Sequence, residues 1–302
     1  MNILVISGFL GAGKTTFIGS LAAKTGKNFA VMENEYGSTG IDGNLLQQDR
    51  LKVWELTEGC ICCSLQSDFA SSILTIANTI APEYLVVEPT GIGLLSAVMR
   101  NINKIAYERI QLLDPVTIVD IHCVDTYISE FGELYTDQIK YAARIVLSKI
   151  EQSKPSEIAR ISTLLRTLNP HAEILSTPYQ NQPEQWWQAL LESFDNNGKK
   201  QSFVSLGGAQ SPNLENVGCT GISIASVYEL MELLVALMRG FFGTVYRVKG
   251  YAPIAGTWTK FDLVNKQYTI ELCKPMGEAK AIVIGEHLAA QALYAAFRGS
   301  AC

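Results

Sequence analysis

The segment that most restricts how this chain can fold is Gly8-Phe-Leu-Gly-Ala-Gly-Lys14-Thr15, near its beginning. The apolar run at 2–7 is typical of a strand, and apolar residues after the segment recur at helical spacing up to Gly26, which suits a helix end. The segment fits G-x-x-x-x-G-K-[ST] between a strand and a helix, the setting in which this pattern forms a phosphate-binding loop. The sequence therefore predicts a strand, a P-loop and a helix in that order.

The P-loop also predicts which residues would bind the phosphates of a nucleotide. Its glycines let the backbone turn so that N–H groups point at phosphate oxygens, and the N-terminal end of the helix adds positive charge. Lys14 would reach the β and γ phosphates, and the Thr15 hydroxyl would join the shell of a Mg²⁺ ion. The predicted nucleotide-binding residues of the loop are Gly8, Gly11, Ala12, Gly13, Lys14, Thr15 and Thr16.

A second part of the site is predicted at Glu88, the last residue of a strand candidate. A P-loop protein needs an acidic side chain at the end of another strand to hold Mg²⁺, and Glu88 opens the tetrapeptide Glu-Pro-Thr-Gly. Gly91 could present its N–H to the γ-phosphate and move away after hydrolysis, which would make 88–95 a switch segment. Because acidic residues often end strands, Glu88 is a site candidate only together with the P-loop upstream.

Apolar strand candidates alternate with helical stretches through the first two thirds of the chain. The strand candidates are 2–7, 28–34, 51–56, 83–88, 115–121, 142–148 and 172–177. Near-continuous apolar strands separated by helices indicate a doubly wound, mostly parallel α/β sheet. The predicted fold class for this part of the chain is therefore an α/β P-loop NTPase.

The composition changes around 195–220, where Asn, Gly, Ser and Gln are frequent, as in a linker or surface loop. The segments beyond it, beginning with a strand candidate at 221–226, indicate a smaller α+β domain with an antiparallel sheet. In that domain Arg247 and Lys249 are interpreted as solvated strand residues, with contact to a partner or nucleotide as the alternative. The predicted division is a P-loop domain at 1–195, a linker at 196–220 and a C-terminal domain at 221–302.

Charge and hydropathy exclude several classes of protein. The net charge of −5 and the absence of a basic stripe argue against binding to nucleic acid or to an anionic membrane surface. No run reaches the roughly 18 uninterrupted apolar residues of a transmembrane helix. The apolar N-terminal run lacks the basic start of a signal peptide, so we expect a cytoplasmic protein.

Three of the seven cysteines, Cys60, Cys62 and Cys63, lie within four positions. An odd total without disulfide-framework spacing favours metal or redox chemistry for such a cluster in a reducing compartment. Thiolates suit borderline-soft cations, so metal binding is the favoured interpretation, while a thiol switch and simple burial are the alternatives. The other cysteines are interpreted as structural: Cys123, Cys219, Cys273 and Cys302.

Four segments in this order resemble those of the CobW-like metallochaperone GTPases, a family of P-loop GTPases with a C-x-C-C metal motif. The segments are 8–16, 34–42, 59–63 and 88–91, and the likeness extends to 116–120, 144–151 and 243–251. The resemblance implies GTP hydrolysis with Mg²⁺ and a transition metal, Zn²⁺ or Co²⁺, bound by the three clustered thiols with Glu35 as an additional ligand. Asp42, in the second segment, is a weaker candidate for positioning Mg²⁺ or water.

The resemblance also implies what the protein would act on. In this family the C-x-C-C loop lies between the two nucleotide switches, so metal occupancy and phosphate state can influence one another. The expected partner is a client metalloprotein or a cofactor-assembly enzyme, and a homodimer is one option for the protein's own assembly. The alternatives are an NTPase of corrinoid cofactor assembly and a nucleotide-binding thiol redox sensor.

Residues 148–151, Ser-Lys-Ile-Glu, depart from the N-K-x-D by which GTPases of this kind identify guanine. Glu151 keeps the carboxylate that accepts the guanine protons but adds a methylene, and Ser148 lacks the amide that braces the P-loop. Ser148, Lys149 and Glu151 are predicted to bind the base, and the alternative is that they form only a polar strand end. A carboxylate should repel the acceptor at adenine N1, so we expect GTP to be preferred over ATP by a reduced margin.

Overall fold

The computed structural model describes residues 1–33, 51–55, 66–106, 109–192, 215–264 and 266–298, with the backbone alone described at 33, 51–55 and 66–68. The chain divides into two compact units, whose described residues are 1–192 and 215–298. Over these ranges no helix combines the length and the apolar character needed to cross a membrane.

The first unit is built on a parallel sheet. Its strands, among the described residues, are β1 (Asn2–Gly8), β2 (Phe29–Glu33), β3 (Leu51–Glu55), β4 (Tyr84–Glu88), β5 (Gln111–Leu112), β6 (Val116–Asp120), β7 (Arg144–Ser148) and β8 (Glu173–Leu175). They follow the order β3-β2-β4-β1-β6-β7-β8, with β5 also paired to β1, and every described pairing is parallel. The helices are α1 (Lys14–Thr25), α2 (Gln66–Thr79), α3 (Leu95–Ile105), α4 (Val124–Lys140), α5 (Pro155–Leu168) and α6 (Glu184–Ala189). The predicted doubly wound α/β fold is confirmed.

Strand β1 shows why continuous apolar runs in this sequence form strands. Successive side chains of a strand point to opposite faces of the sheet. Leu4 and Ile6 enter one apolar core, which contains Phe17 of α1, whereas Ile3 and Val5 enter another, which contains residues of α2 and α3. Because helices cover both faces, Ile3, Leu4, Val5 and Ile6 are all apolar and the alternation typical of a half-exposed strand is absent.

The second unit is an antiparallel sheet with two helices among its described residues. Its elements are β9 (Glu215–Thr220), α7 (Val227–Met238), β10 (Thr244–Ile254), β11 (Thr257–Val264), β12 (Gln267–Leu272), β13 (Lys280–Glu286) and α8 (Ala290–Arg298). The strands follow the order β12-β11-β10-β13-β9. Ser226 caps α7 by accepting a hydrogen bond from the Glu229 N–H, and the Glu229 carboxylate accepts one from the Ala225 N–H. The smaller α+β fold predicted for this region is confirmed.

The first strand of this sheet lies earlier than the sequence predicted. Glu215–Thr220 form β9, within the segment predicted to be a linker, whereas residues 221–226 form no strand. Val217 and Cys219 are buried on one side of β9, and Asn216 and Gly218 alternate with them along the strand. Asn and Gly at the alternating positions gave this strand the composition of a loop. The domain boundaries themselves stay predictions.

Lys249 of β10 is buried and Arg247 is largely buried, so the prediction that they are solvated was wrong. The Arg247 side chain is 15% exposed and its guanidinium donates to Asp262 Oδ2 at 3.3 Å. Lys249 is 4% exposed and lies directly opposite Asp262 in the pairing of β10 with β11. A carboxylate between two basic residues offsets part of the cost of burying their charges.

Candidate functional site

The P-loop connects β1 to α1 at the carboxyl end of the parallel sheet. Gly8 has φ of +149°, and a Cβ there would lie 2.5 Å from the carbonyl oxygen of Ile118 on β6. Gly13, which precedes the first residue of α1, has φ of +97°. Both positions require a conformation that residues with side chains rarely adopt, so the backbone of the loop itself accounts for these two glycines.

Lys14, Thr15 and Glu88 come together beside this loop. Strand β4 pairs directly with β1, which places Glu88 next to the start of α1. The Lys14 ammonium is 3.8 Å from Glu88 Oε1, and these side chains are only 7% and 10% exposed. The Thr15 hydroxyl donates to Glu88 and is 3.4 Å from each carboxylate oxygen. A hydroxyl beside a carboxylate provides the oxygen ligands that Mg²⁺ prefers, so these residues fit the predicted ion.

Gly91 packs directly against the P-loop. The Gly93 N–H donates to the Thr90 carbonyl at 2.8 Å, which closes a turn that we call the Thr90–Gly93 turn. A Cβ on Gly91 would lie 2.7 Å from Leu10 Cδ2 and 2.9 Å from Leu10 N. Only a residue without a side chain fits at this distance from the loop backbone.

The segment at 148–151 also adjoins the P-loop. The Ser148 hydroxyl donates to the carbonyl of Ala12 at 2.8 Å. A hydroxyl therefore makes the contact with the P-loop that the amide of N-K-x-D would make. Lys149 has φ of +59°, and its ammonium donates to Asp120 Oδ2 at 2.7 Å. Glu151 is exposed and accepts a hydrogen bond from Gln180 at 3.4 Å.

Two side chains of this region were not predicted as site residues from sequence motifs. Asp120, the last residue of β6, is buried, and its Oδ2 accepts a hydrogen bond from the Lys149 ammonium. Its Oδ1 accepts a hydrogen bond from the His122 N–H at 3.0 Å. Tyr127 of α4 donates its hydroxyl to the carbonyl of Leu10 in the P-loop at 3.2 Å. Asp120 could have been found from its position at a strand end, whereas Tyr127 left no sequence signal.

The described cysteines have the character of structural residues. Burial raises the pKa of the Cys123 thiol to about 12, and the negative charge of Asp120 acts in the same direction. Burial raises the pKa of Cys219 to about 11. Both thiols therefore stay protonated near neutral pH, and a protonated thiol is a poor metal ligand.

The predicted transition-metal ligands lie outside the described residues. The residues concerned are Glu35, Cys60, Cys62 and Cys63, together with Asp42 of the predicted switch and the structural candidate Cys302. Thr16 is described and lies exposed on the first turn of α1. Within the part of the chain that is described, no group of three or more His, Cys, Asp or Glu could hold a metal ion.

The chain is similar to several known proteins. Residues 2–176 match the family model described as CobW/HypB/UreG, nucleotide-binding domain. The chain is 25% identical over 323 residues to the zinc chaperone YjiA of Escherichia coli K12, covering 98% of each protein. It is 34% identical over 154 residues to the zinc chaperone YeiR of the same organism, covering 50% of this chain and 47% of YeiR. Among solved structures, the Zn(II)-bound YjiA GTPase from E. coli aligns over 98% of both chains with 19% identity and a TM-score of 0.48.

Proposed function

The chain belongs to the CobW/HypB/UreG nucleotide-binding domain family, and from this premise we propose that it is a Mg²⁺-dependent GTPase that binds a transition metal and delivers it to a client. The metal would be zinc or cobalt, and the client a metalloprotein or a cofactor-assembly enzyme. The observation that carries the proposal is the convergence of Lys14, Thr15 and Glu88 beside the P-loop.

The geometry supports hydrolysis by water, assisted by charge stabilisation. Lys14 and the backbone N–H groups of the P-loop would stabilise negative charge on the transferring phosphoryl group. Thr15 and Glu88 would hold Mg²⁺, which supplies positive charge to the β and γ phosphates. Gly91, packed against Leu10, would present its N–H to the γ-phosphate. No described side chain is proposed as a base, so we expect low intrinsic turnover.

In this proposal the transition metal is the cargo that the protein binds and delivers. The similarity to zinc chaperones supports binding at Cys60, Cys62 and Cys63 with Glu35, and Asp42 would contribute to the adjacent switch. The protonated state of Cys123 and Cys219 leaves the clustered thiols as the better candidates. A site of this kind, near both nucleotide switches, would let hydrolysis change the affinity for the metal.

Guanine recognition is proposed for residues 148–151, which begin with the last residue of β7. The bond from Ser148 to Ala12 joins this segment to the P-loop, and the bond from Lys149 to buried Asp120 fixes it to β6. Glu151, next in the segment after a buried Ile150, would accept the two guanine protons. Adenine offers an acceptor at N1 instead, which the Glu151 carboxylate would repel.

Calorimetric titration with GTP and ATP tests this assignment. We expect wild-type protein to bind GTP more tightly than ATP. Glu151→Gln should weaken GTP binding about tenfold, since a hydrogen bond to a charged acceptor is lost. It should strengthen ATP binding, since the repulsion between the carboxylate and adenine N1 is removed. Glu130→Gln, at an exposed position of α4, is the matched control and should behave as wild type. Tighter binding of ATP than of GTP by wild-type protein would overturn guanine selection.

A further inference from the structure

Helix α4 contacts both sides of the junction between the P-loop and the Thr90–Gly93 turn. From its first half, Tyr127 donates to the Leu10 carbonyl at 3.2 Å. From its last turn, the Gln138 amide donates to the Gly91 carbonyl at 3.1 Å and to the Gly93 carbonyl at 2.9 Å. Because Gly91 packs on Leu10, one helix anchors both members of this contact.

The two anchors belong to separate helical segments. Gly132 interrupts α4 with φ of +47° and ψ of −114°. Tyr127 lies before this interruption and Gln138 after it. Immediately before Gln138, Asp137 accepts a hydrogen bond from the Ser96 N–H at the start of α3, at 3.0 Å. The second half of α4 therefore holds the turn and the helix that follows it, independently of the bond made by Tyr127.

Gln138 is suited to donating hydrogen bonds rather than to filling space. It is 1% exposed, and its amide nitrogen supplies both bonds to the turn. Its amide oxygen is also buried and has no hydrogen-bond partner in the structure as described. A buried acceptor without a partner destabilises the fold, so an apolar side chain would be the better choice if only packing mattered. The two donated bonds are the gain that offsets this cost.

We propose that Gln138 is a positioning residue for GTP hydrolysis, an inference that rests on the proposed GTPase function. Its amide holds the Thr90–Gly93 turn against the P-loop, at the position from which Gly91 reaches the γ-phosphate. Hydrogen bonds to the carbonyls of Gly91 and Gly93 fix the orientation of the peptide groups between them. Because GDP lacks the γ-phosphate, loss of this positioning weakens GTP binding and slows hydrolysis while leaving GDP binding unchanged.

The test replaces Gln138 with methionine, which has a similar shape but no donor, and compares it with a matched control. Gln188 of α6 is also a side-chain amide, and it donates to the carbonyl of Thr25 at the end of α1 at 3.3 Å and to Glu184 at 3.5 Å. Gln188→Met is therefore the same substitution at a position whose hydrogen bonds involve neither α4 nor the Thr90–Gly93 turn. Affinities for a non-hydrolysable GTP analogue and for GDP, GTP turnover and melting temperature are measured for each protein.

We expect Gln138→Met to lower kcat for GTP, and the ratio of GTP-analogue affinity to GDP affinity, each about tenfold, the loss typical of one hydrogen bond to a charged group. Gln188→Met should leave both quantities as in wild type. Gln138→Leu also removes both donors without adding a charge, and it should reproduce the effect if the methionine variant does not fold.

The outcomes separate this inference from the proposed function. If wild-type protein hydrolyses GTP but Gln138→Met and Gln138→Leu retain its kcat and affinity ratio, the positioning role is overturned and the GTPase proposal stands. If Gln188→Met changes the ratio as much as Gln138→Met, the effect is not specific to the Thr90–Gly93 turn and the inference also fails. Absence of GTP hydrolysis by wild-type protein would contradict the proposed function itself.

Discussion

Replacing Lys14 with alanine is expected to reduce GTP turnover at least about a hundredfold, because it removes the cation proposed to stabilise the transferring phosphoryl group. Lys14 is buried at the start of α1, and its ammonium lies 3.8 Å from the Glu88 carboxylate. The substitution removes a charge but leaves the helix, since alanine is a good helix former. Binding of Zn²⁺ or Co²⁺ should persist, because the proposed ligands are elsewhere in the sequence.

Steady-state phosphate release and metal titration together measure this result. Lys24→Ala is the matched control, since Lys24 is an exposed lysine of the same helix and should retain wild-type turnover. The double variant Cys62→Ala with Cys63→Ala should show the converse behaviour, with hydrolysis retained and metal binding lost. Equal loss of metal affinity in the lysine variant and the cysteine variant would contradict the separation of the two sites.

Replacing Gly91 with alanine is expected to produce the second large effect, a reduction of kcat of at least about tenfold, comparable to the loss of a hydrogen bond to a charged phosphate. The added Cβ would lie 2.9 Å from the backbone nitrogen of Leu10 and 2.7 Å from its Cδ2. The side-chain atom can move away, but the backbone atom belongs to the P-loop and cannot do so cheaply. The turn must therefore shift from the position in which the Gly91 N–H is proposed to contact the γ-phosphate.

Gly19→Ala provides the control for this prediction. Gly19 lies within α1, and a Cβ there would meet nothing within 4 Å. That change should leave turnover unaltered and raise the free energy of unfolding by about 0.5–1 kcal/mol, the usual advantage of alanine over glycine in a helix. Turnover is measured by phosphate release and stability by urea denaturation. Wild-type kcat in Gly91→Ala would exclude the role proposed for Gly91.

The sequence predicted the part of the site that depends on backbone and motif spacing. A P-loop must follow a strand and precede a helix, and an acidic residue that ends a neighbouring parallel strand must lie near it, so Lys14, Thr15 and Glu88 converge as expected. Tyr127 and Gln138 were not predicted because each side chain makes its contacts with residues far away in the chain. Such contacts depend on which elements the fold places side by side, and no local pattern records them.

At two positions the environment differs from what residue type suggested. Ser148 lacks the amide of N-K-x-D, yet its hydroxyl reaches the Ala12 carbonyl because the end of β7 lies close enough for a short side chain. Lys249 was expected to be solvated, yet it is buried opposite Asp262 of the neighbouring strand. In both cases residue type suggested one environment and strand pairing supplied another.

The most direct test of the central claim compares Zn²⁺ affinity in two nucleotide states of the wild-type protein. The protein is loaded with Mg²⁺ and either a non-hydrolysable GTP analogue or GDP, and Zn²⁺ is titrated against a competing chelator. If nucleotide and metal sites are coupled, the two dissociation constants should differ by about tenfold or more, a typical coupling between linked sites. Identical dissociation constants in the two states would contradict the account.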